Sequence, residues 1–136
     1  DWTDFHYLAK DVPLLASVYP NGIADVNQFQ DAGGPSFVIR ELLDNGCMFD
    51  DVLTVCGQGM EKYGQKLSVK ENEISWSRFP KNSGDDSIIR THENPFSSTG
   101  GSKLLKGNVG RSVMKTSAIP EEKHIIEGPT MIFDSQ

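Results

Sequence analysis

The chain has no apolar run near the length of a membrane span, no metal-ligand cluster and no complete nucleotide-binding signature. Each absence removes a class of function. A membrane helix needs about 20 consecutive apolar residues, and no hydrophobic run here approaches that. Cys47 and Cys56 are the only cysteines, nine positions apart. Zinc and iron–sulfur sites want closely spaced pairs and usually four ligands, so neither is expected on this chain. Free cysteine is among the most buried residue types, and both thiols are predicted to lie in the core. With no secretory signal at the start they read as reduced, cytoplasmic thiols. His6, His92 and His124 are scattered, without an HxxxH or HExxH spacing. No GxSxG elbow frames a nucleophilic serine. An excess of base is missing too: the formal net charge is −6, which disfavours nucleic acid as a partner, because affinity there rests on Lys and Arg neutralising phosphates.

What is present suits a globular protein. The 136 residues are enough for one domain or parts of two. Hydrophobic residues at 37 % and charged residues at 24 % argue against disorder. Charge is uneven: residues 1–66 hold ten carboxylates against four Lys/Arg, whereas residues 67–136 hold nine of each. That break predicts two segments with different surroundings. The chain begins with Asp1 rather than Met, and the expectation is a piece of a longer polypeptide or a processed one.

Helices are expected first. Trp2, Phe5 and Leu8 or Ala9 share one helical face, and Pro13 ends that helix. LLASVY is a short β-prone run stopped by Pro20-Asn21-Gly22. Asp25 is placed to cap a helix carrying Val26 and Phe29, closed by Gly33-Gly34. Pro35 opens the next helix, with Phe37, Val38, Leu42 and Leu43 inside and Asn45-Gly46 at its end. A further helix is predicted from Asp50-Asp51 through Val52, Leu53 and Val55. After Gly64 the texture changes. LSVKENEISWSRF alternates as a hairpin would, and KNSGDDS is the best linker candidate. IIR, SKLLKGNV, SVMKTSA and HIIEGPTMIF then read as short strands. Helices followed by strands imply an α+β fold or a junction between two domains.

The run 96-FSSTGGSKLLKGNVGR-111 invites a phosphate-loop reading. A Walker loop needs two glycines five apart followed by Lys and Ser/Thr. Here Gly101 and Gly107 are six apart and Asn108 follows, so the pattern fails. Its glycines are expected to serve a turn or bulge, with the lysines in water. The acidic pairs Asp85-Asp86 and Glu121-Glu122 read as solvated turns rather than paired catalytic carboxylates.

The order of motifs is more informative than any one of them. YPNGIADVNQFQDAGG, VIRELLDNG, DDVLTVCGQG, FSSTGGSKLLKGNVGRSVMKTSAIP and IIEGPTMIF follow one another along the whole chain. This series resembles the dihydroxy-acid and phosphogluconate dehydratases, and its wording looks closer to the phosphogluconate branch. The resemblance implies an internal segment of a longer enzyme. Residues 1–66 would be the helical end of an N-terminal α/β domain, 67–95 a linker and hairpin, and 96–136 the first strands of a C-terminal β-barrel-like domain. It implies a hydro-lyase that removes water from a sugar-acid phosphate on the Entner–Doudoroff route, or from the dihydroxy acids of branched-chain amino-acid synthesis. It further implies an iron–sulfur cluster, Mg2+, a cytoplasmic setting and a homodimer, with cluster cysteines upstream and a catalytic serine downstream. No catalytic or metal-binding residue therefore falls here, and the segment alone is expected to be inactive. The family's active site lies between its two domains. Lys103 or Lys115 is then placed to meet the substrate phosphate as a point charge, and Asn21, in the PNG turn, to reach the same cleft. A free-standing, non-catalytic binding module derived from the family is the rival expectation.

Overall fold

The computed structural model describes residues 1–135. Three helices come first: α1 (Trp2–Asp11), α2 (Val26–Asp31) and α3 (Gly34–Asp44). Three separate antiparallel hairpins follow: β1 (Leu53–Thr54) with β2 (Gly57–Gln58), β3 (Gln65–Lys70) with β4 (Glu73–Arg78), and β5 (Ser102–Gly107) with β6 (Gly110–Lys115). The mixture of helix and small sheet matches the α+β expectation, and no closed barrel forms among the described residues.

The helix starts obey their capping residues. The Asp25 carboxylate accepts from the Gln28 backbone N–H, and the Gln28 side chain accepts from the Asp25 N–H, each at 2.8–2.9 Å. Two otherwise orphaned donors at the start of α2 are thereby satisfied. Pro35 sits in the first turn of α3, where a missing N–H costs nothing.

The core is built from residues far apart in sequence. Ala24, Ala32, Phe37, Ile88 and Ile89 are buried against one another, with Phe29, Val38 and Phe79 packed beside them. An extended spine, residues 14–18, holds the two halves together. Leu14 and Phe96 or Ser97 exchange backbone hydrogen bonds at 2.9–3.0 Å, while Ser17 donates to Ile88 and Arg90 donates to Leu15 at 2.8 Å. The polar run at 81–87 is tied down: the Gly84 N–H donates to the Ala32 carbonyl at 2.8 Å, and the Ser83 hydroxyl donates to the Ile89 carbonyl at 2.6 Å. These bonds deliver Ile88 and Ile89 to the core.

Three local expectations are corrected, and the exposure of one predicted helical face is explained. Residues 50–58 form the β1–β2 hairpin instead of a helix. Gly57 and Gly59 lie at φ 108° and 89°, a region that glycine enters freely, and the Thr54 hydroxyl donates to the Gly57 carbonyl at 2.8 Å. Residues 124–133 form no strand; a strand needs a partner for its backbone groups, and none is presented to them among the described residues. The row Trp2, Phe5 and Leu8 is more than half exposed, because α1 packs on the 99–103 segment through Ala9. The Gly100 N–H donates to the Ala9 carbonyl, and a side chain at Gly100 would lie 3.1 Å from Ala9 Cα. Finally, Cys47 is only half-buried and Cys56 is exposed. The tight β1–β2 turn carries Cys56 outward.

The accessible surface is 10544 Å². A compact folded protein of 15.0 kDa exposes about 7,000 Å². The excess is rich in apolar groups: Ile125, Ile126, Met131, Ile132 and Phe133 are each at least 74 % exposed.

Candidate functional site

The PNG turn and the TSA stretch, 96 residues apart in sequence, meet at a seam. Asn21 in the turn accepts, through its side-chain oxygen, a hydrogen bond from the Ser117 hydroxyl at 3.1 Å. The Ser117 N–H in turn donates to the Gly101 carbonyl at 3.2 Å. Asn21 and Ser117 are both half-buried. The approach is close on each side. A Cβ at Gly101 would run into the Ser117 side chain, and one at Gly22 would collide with Ser17. Gly101→Ala is therefore expected to destabilise the protein by about 1–3 kcal/mol, the usual penalty for overpacking. The companion change Ser117→Gly should recover most of that loss in the denaturation midpoint; no recovery would show that the strain lies elsewhere.

Lys103 and Lys115 are both exposed, but the structure does not bring them together. In the β5–β6 register Lys103 faces Met114, while Lys115 faces Ser102. Directly paired residues share a face and neighbours along a strand alternate, so the two lysines project from opposite faces of the hairpin. Lys103 borders a small cleft against α1. Lys115 adjoins Thr116 at the seam.

A second polar centre lies on α3. Arg40 and Glu41, 8 % and 5 % exposed, form an ion pair at 2.8 Å. The second Glu41 carboxylate oxygen accepts the His92 backbone N–H at 2.8 Å. Asp44 receives Arg78 at 2.9 Å and Arg40 at 3.4 Å. An open groove of about 470 Å³, lined in part by Arg40, Asp44, Arg78, Lys81 and Glu93, runs beside this network. Acids and bases alternate around it, so the network mainly clamps α3 to β4 and to residues 91–92. Further along the chain, the Asp85 carboxyl is held below its usual value first by the Ser87 hydroxyl and then by the Ser87 N–H. That carboxyl shapes the turn ahead of Ile88.

Motif order points to Asn21, Lys103 and Lys115 and does not mark the Ser117 contact or the Arg40–Glu41 pair. The latter carried a signal. Two charges lie between Ile39 and Leu42, three and four residues after Phe37, on the helix's own apolar side. Charge in such a place is almost always paired.

Similarity to known proteins covers nearly all of this architecture. The family model described as dihydroxy-acid/6-phosphogluconate dehydratase N-terminal matches residues 1–64, and its C-terminal counterpart matches residues 87–136. The chain belongs to the dihydroxy-acid/6-phosphogluconate dehydratase family. Within that family it is 46 % identical over 136 residues to a phosphogluconate dehydratase of Escherichia coli (strain K12), with all of this chain and 23 % of the relative covered. A phosphogluconate dehydratase of Pseudomonas aeruginosa is 45 % identical over 99 % of this chain and 22 % of its own length. A dihydroxy-acid dehydratase of Clostridium novyi is 30 % identical over 98 % of this chain, again 22 % of its own length. The chain thus spans between a fifth and a quarter of the length of these dehydratases. Among the described residues no three His, Cys, Asp or Glu side chains gather as a metal site, and no helix is long and apolar enough to cross a membrane.

Proposed function

We propose that this chain is the interdomain stretch of a phosphogluconate dehydratase and works within a longer polypeptide that removes water from 6-phosphogluconate to give the 2-keto-3-deoxy acid phosphate. The observation that carries this is the difference in identity: 45–46 % to phosphogluconate dehydratases against 30 % to the dihydroxy-acid dehydratase, over nearly the same residues. The surface supports it physically. The excess of about 3,500 Å² over a compact chain is the size of an obligate interface, and its apolar content suits coverage by further chain.

In this proposal residues 1–66 close the N-terminal domain, 67–95 connect, and 96–136 begin the second domain as the first strands of a β-barrel-like unit. The seam between Asn21 and Ser117 braces the two. Lys115, beside that seam, faces substrate from the hairpin, and Asn21 faces it from the PNG turn. The iron–sulfur cluster and Mg2+ of such an enzyme do not fit the donors here, since two separated thiols and dispersed carboxylates offer no ligand set. Both would be held by residues outside this chain.

The test is an assay of the protein at its natural length, following 2-keto acid formation from 6-phosphogluconate and from a phosphate-free 2,3-dihydroxy acid. The expected result is a kcat/KM for 6-phosphogluconate at least tenfold higher. The opposite preference would assign the chain to the branched-chain amino-acid pathway instead.

A further inference from the structure

We infer that the cleft between α1 and the start of β5 is a subsite for a phosphoryl group, with Lys10 and Lys103 as its cationic arms. The inference rests on the phosphogluconate reading for its ligand, but its geometry is independent of that reading.

The cleft has a volume of about 130 Å³ and is lined by His6, Lys10, Thr99, Gly100, Ser102 and Lys103, together with Ala9. That is well below the roughly 300 Å³ at which pockets for whole small molecules begin, so it suits a single group of a larger ligand. Its chemistry has one sign. Two lysines and a histidine border it, two further residues carry hydroxyls, and no carboxylate lines it. Neither lysine is within ion-pair distance of a carboxylate among the described residues.

This is unexpected in a half-chain with ten carboxylates against four Lys/Arg. The helix sorts its charges. His6 and Lys10 are four apart and share the face that meets Gly100, as does Ala9. Asp4 and Asp11 lie roughly 100–160° around the axis from those two bases at 3.6 residues per turn. The end of a helix would ordinarily oppose an anion through its free carbonyls. Here the Ala9 carbonyl accepts the Gly100 N–H, and the Leu8 carbonyl accepts the Val12 N–H. Gly100 thus lets the start of β5 approach α1 closely, quiets part of the helix end and brings Lys103 to the same cleft as Lys10. A phosphoryl dianion would take charge-assisted hydrogen bonds from both ammonium groups, with the hydroxyls of Thr99 and Ser102 able to donate to its oxygens.

The experiment uses the protein at its natural length. Lys10→Gln and Lys103→Gln should each raise KM for 6-phosphogluconate about tenfold, the scale of one hydrogen bond to a charged group, with kcat changed less than about twofold. The inhibition constant of inorganic phosphate, tested as a competitor, should rise by the same factor and should weaken further with added salt. Lys70→Gln, at the end of β3, should change neither. Unchanged KM and phosphate inhibition in both variants would overturn the subsite while leaving the phosphogluconate reading intact. If the protein instead acts only on phosphate-free acids, that reading falls and the cleft is judged by calorimetric binding of inorganic phosphate. Binding lost in Lys103→Gln would sustain the site; no binding to the unsubstituted protein would overturn it.

Discussion

Replacing Glu41 by alanine is expected to lower stability by about 3–5 kcal/mol, the cost of stripping one member from a buried ion pair. Arg40 would keep its charge in a site only 8 % exposed, with the longer 3.4 Å contact to Asp44 as its remaining carboxylate. The His92 N–H would lose its acceptor as well. Glu41→Gln separates these contributions, since an amide oxygen still accepts from His92 but offers Arg40 no charge. A loss in Glu41→Gln close to that in Glu41→Ala would assign the cost to the ion pair. The pair is not optimal even in the native protein, because Arg40 Nε is buried without a hydrogen-bond partner among the described residues. Exchanging both residues for apolar ones should therefore cost less than removing Glu41 alone. Denaturant midpoints measured on the natural-length protein decide it, and a Glu41→Ala loss under about 1 kcal/mol would mean that the pair is solvated.

Phe37→Ala carries a comparable expectation, about 3–5 kcal/mol for emptying a fully buried aromatic site. Phe37 is 1 % exposed. Its ring meets Phe79 edge-on at 6.1 Å, and the Arg40 guanidinium lies 4.5 Å from its centroid. Phe37→Leu keeps most of the buried volume and should lose less. The midpoint should fall with an unchanged denaturant slope, since the loss concerns packing rather than the extent of unfolding. If Phe37→Ala costs no more than a surface change, residues 79–89 do not close over α3. Because Arg40 rests on Phe37, this change and the one at Glu41 should not add.

The sequence marked α1, α2, α3, the β3–β4 hairpin and the strand character of β5 and β6, without their pairing, because local chemistry governs them. Asp25 with Gln28, Pro35 after two glycines, and the alternation from Leu67 to Trp76 are short-range signals. The stretch at 50–58 misled for the same reason. Acids ahead of Val52 and Leu53 imitate a helix start, while Gly57 and Gly59 within the next few residues favour a turn. Residues 124–133 have the composition of strands, yet strand formation depends on a partner that lies beyond the local sequence. The candidate site residues rest on motif order alone. The opposition of Lys103 and Lys115 across the hairpin follows from register, and the meeting of Asn21 with Ser117 follows from tertiary packing. Neither is visible in a pattern of spacings.

Phe37 and Ile89 pack together although 52 residues separate them in the chain. During synthesis at roughly 5–20 residues per second that separation amounts to about 3–10 s. The β3–β4 hairpin, wholly local, closes within about 1–10 μs of its strands becoming available. Helices α2 and α3 must wait, with Ala32 and Phe37 facing water until Ile88 and Ile89 arrive. The nascent polypeptide thus passes through an interval of seconds in which this face of α2 and α3 lacks Ile88 and Ile89 and is open to chaperones, and a pause in translation placed between codons 40 and 88 would lengthen it.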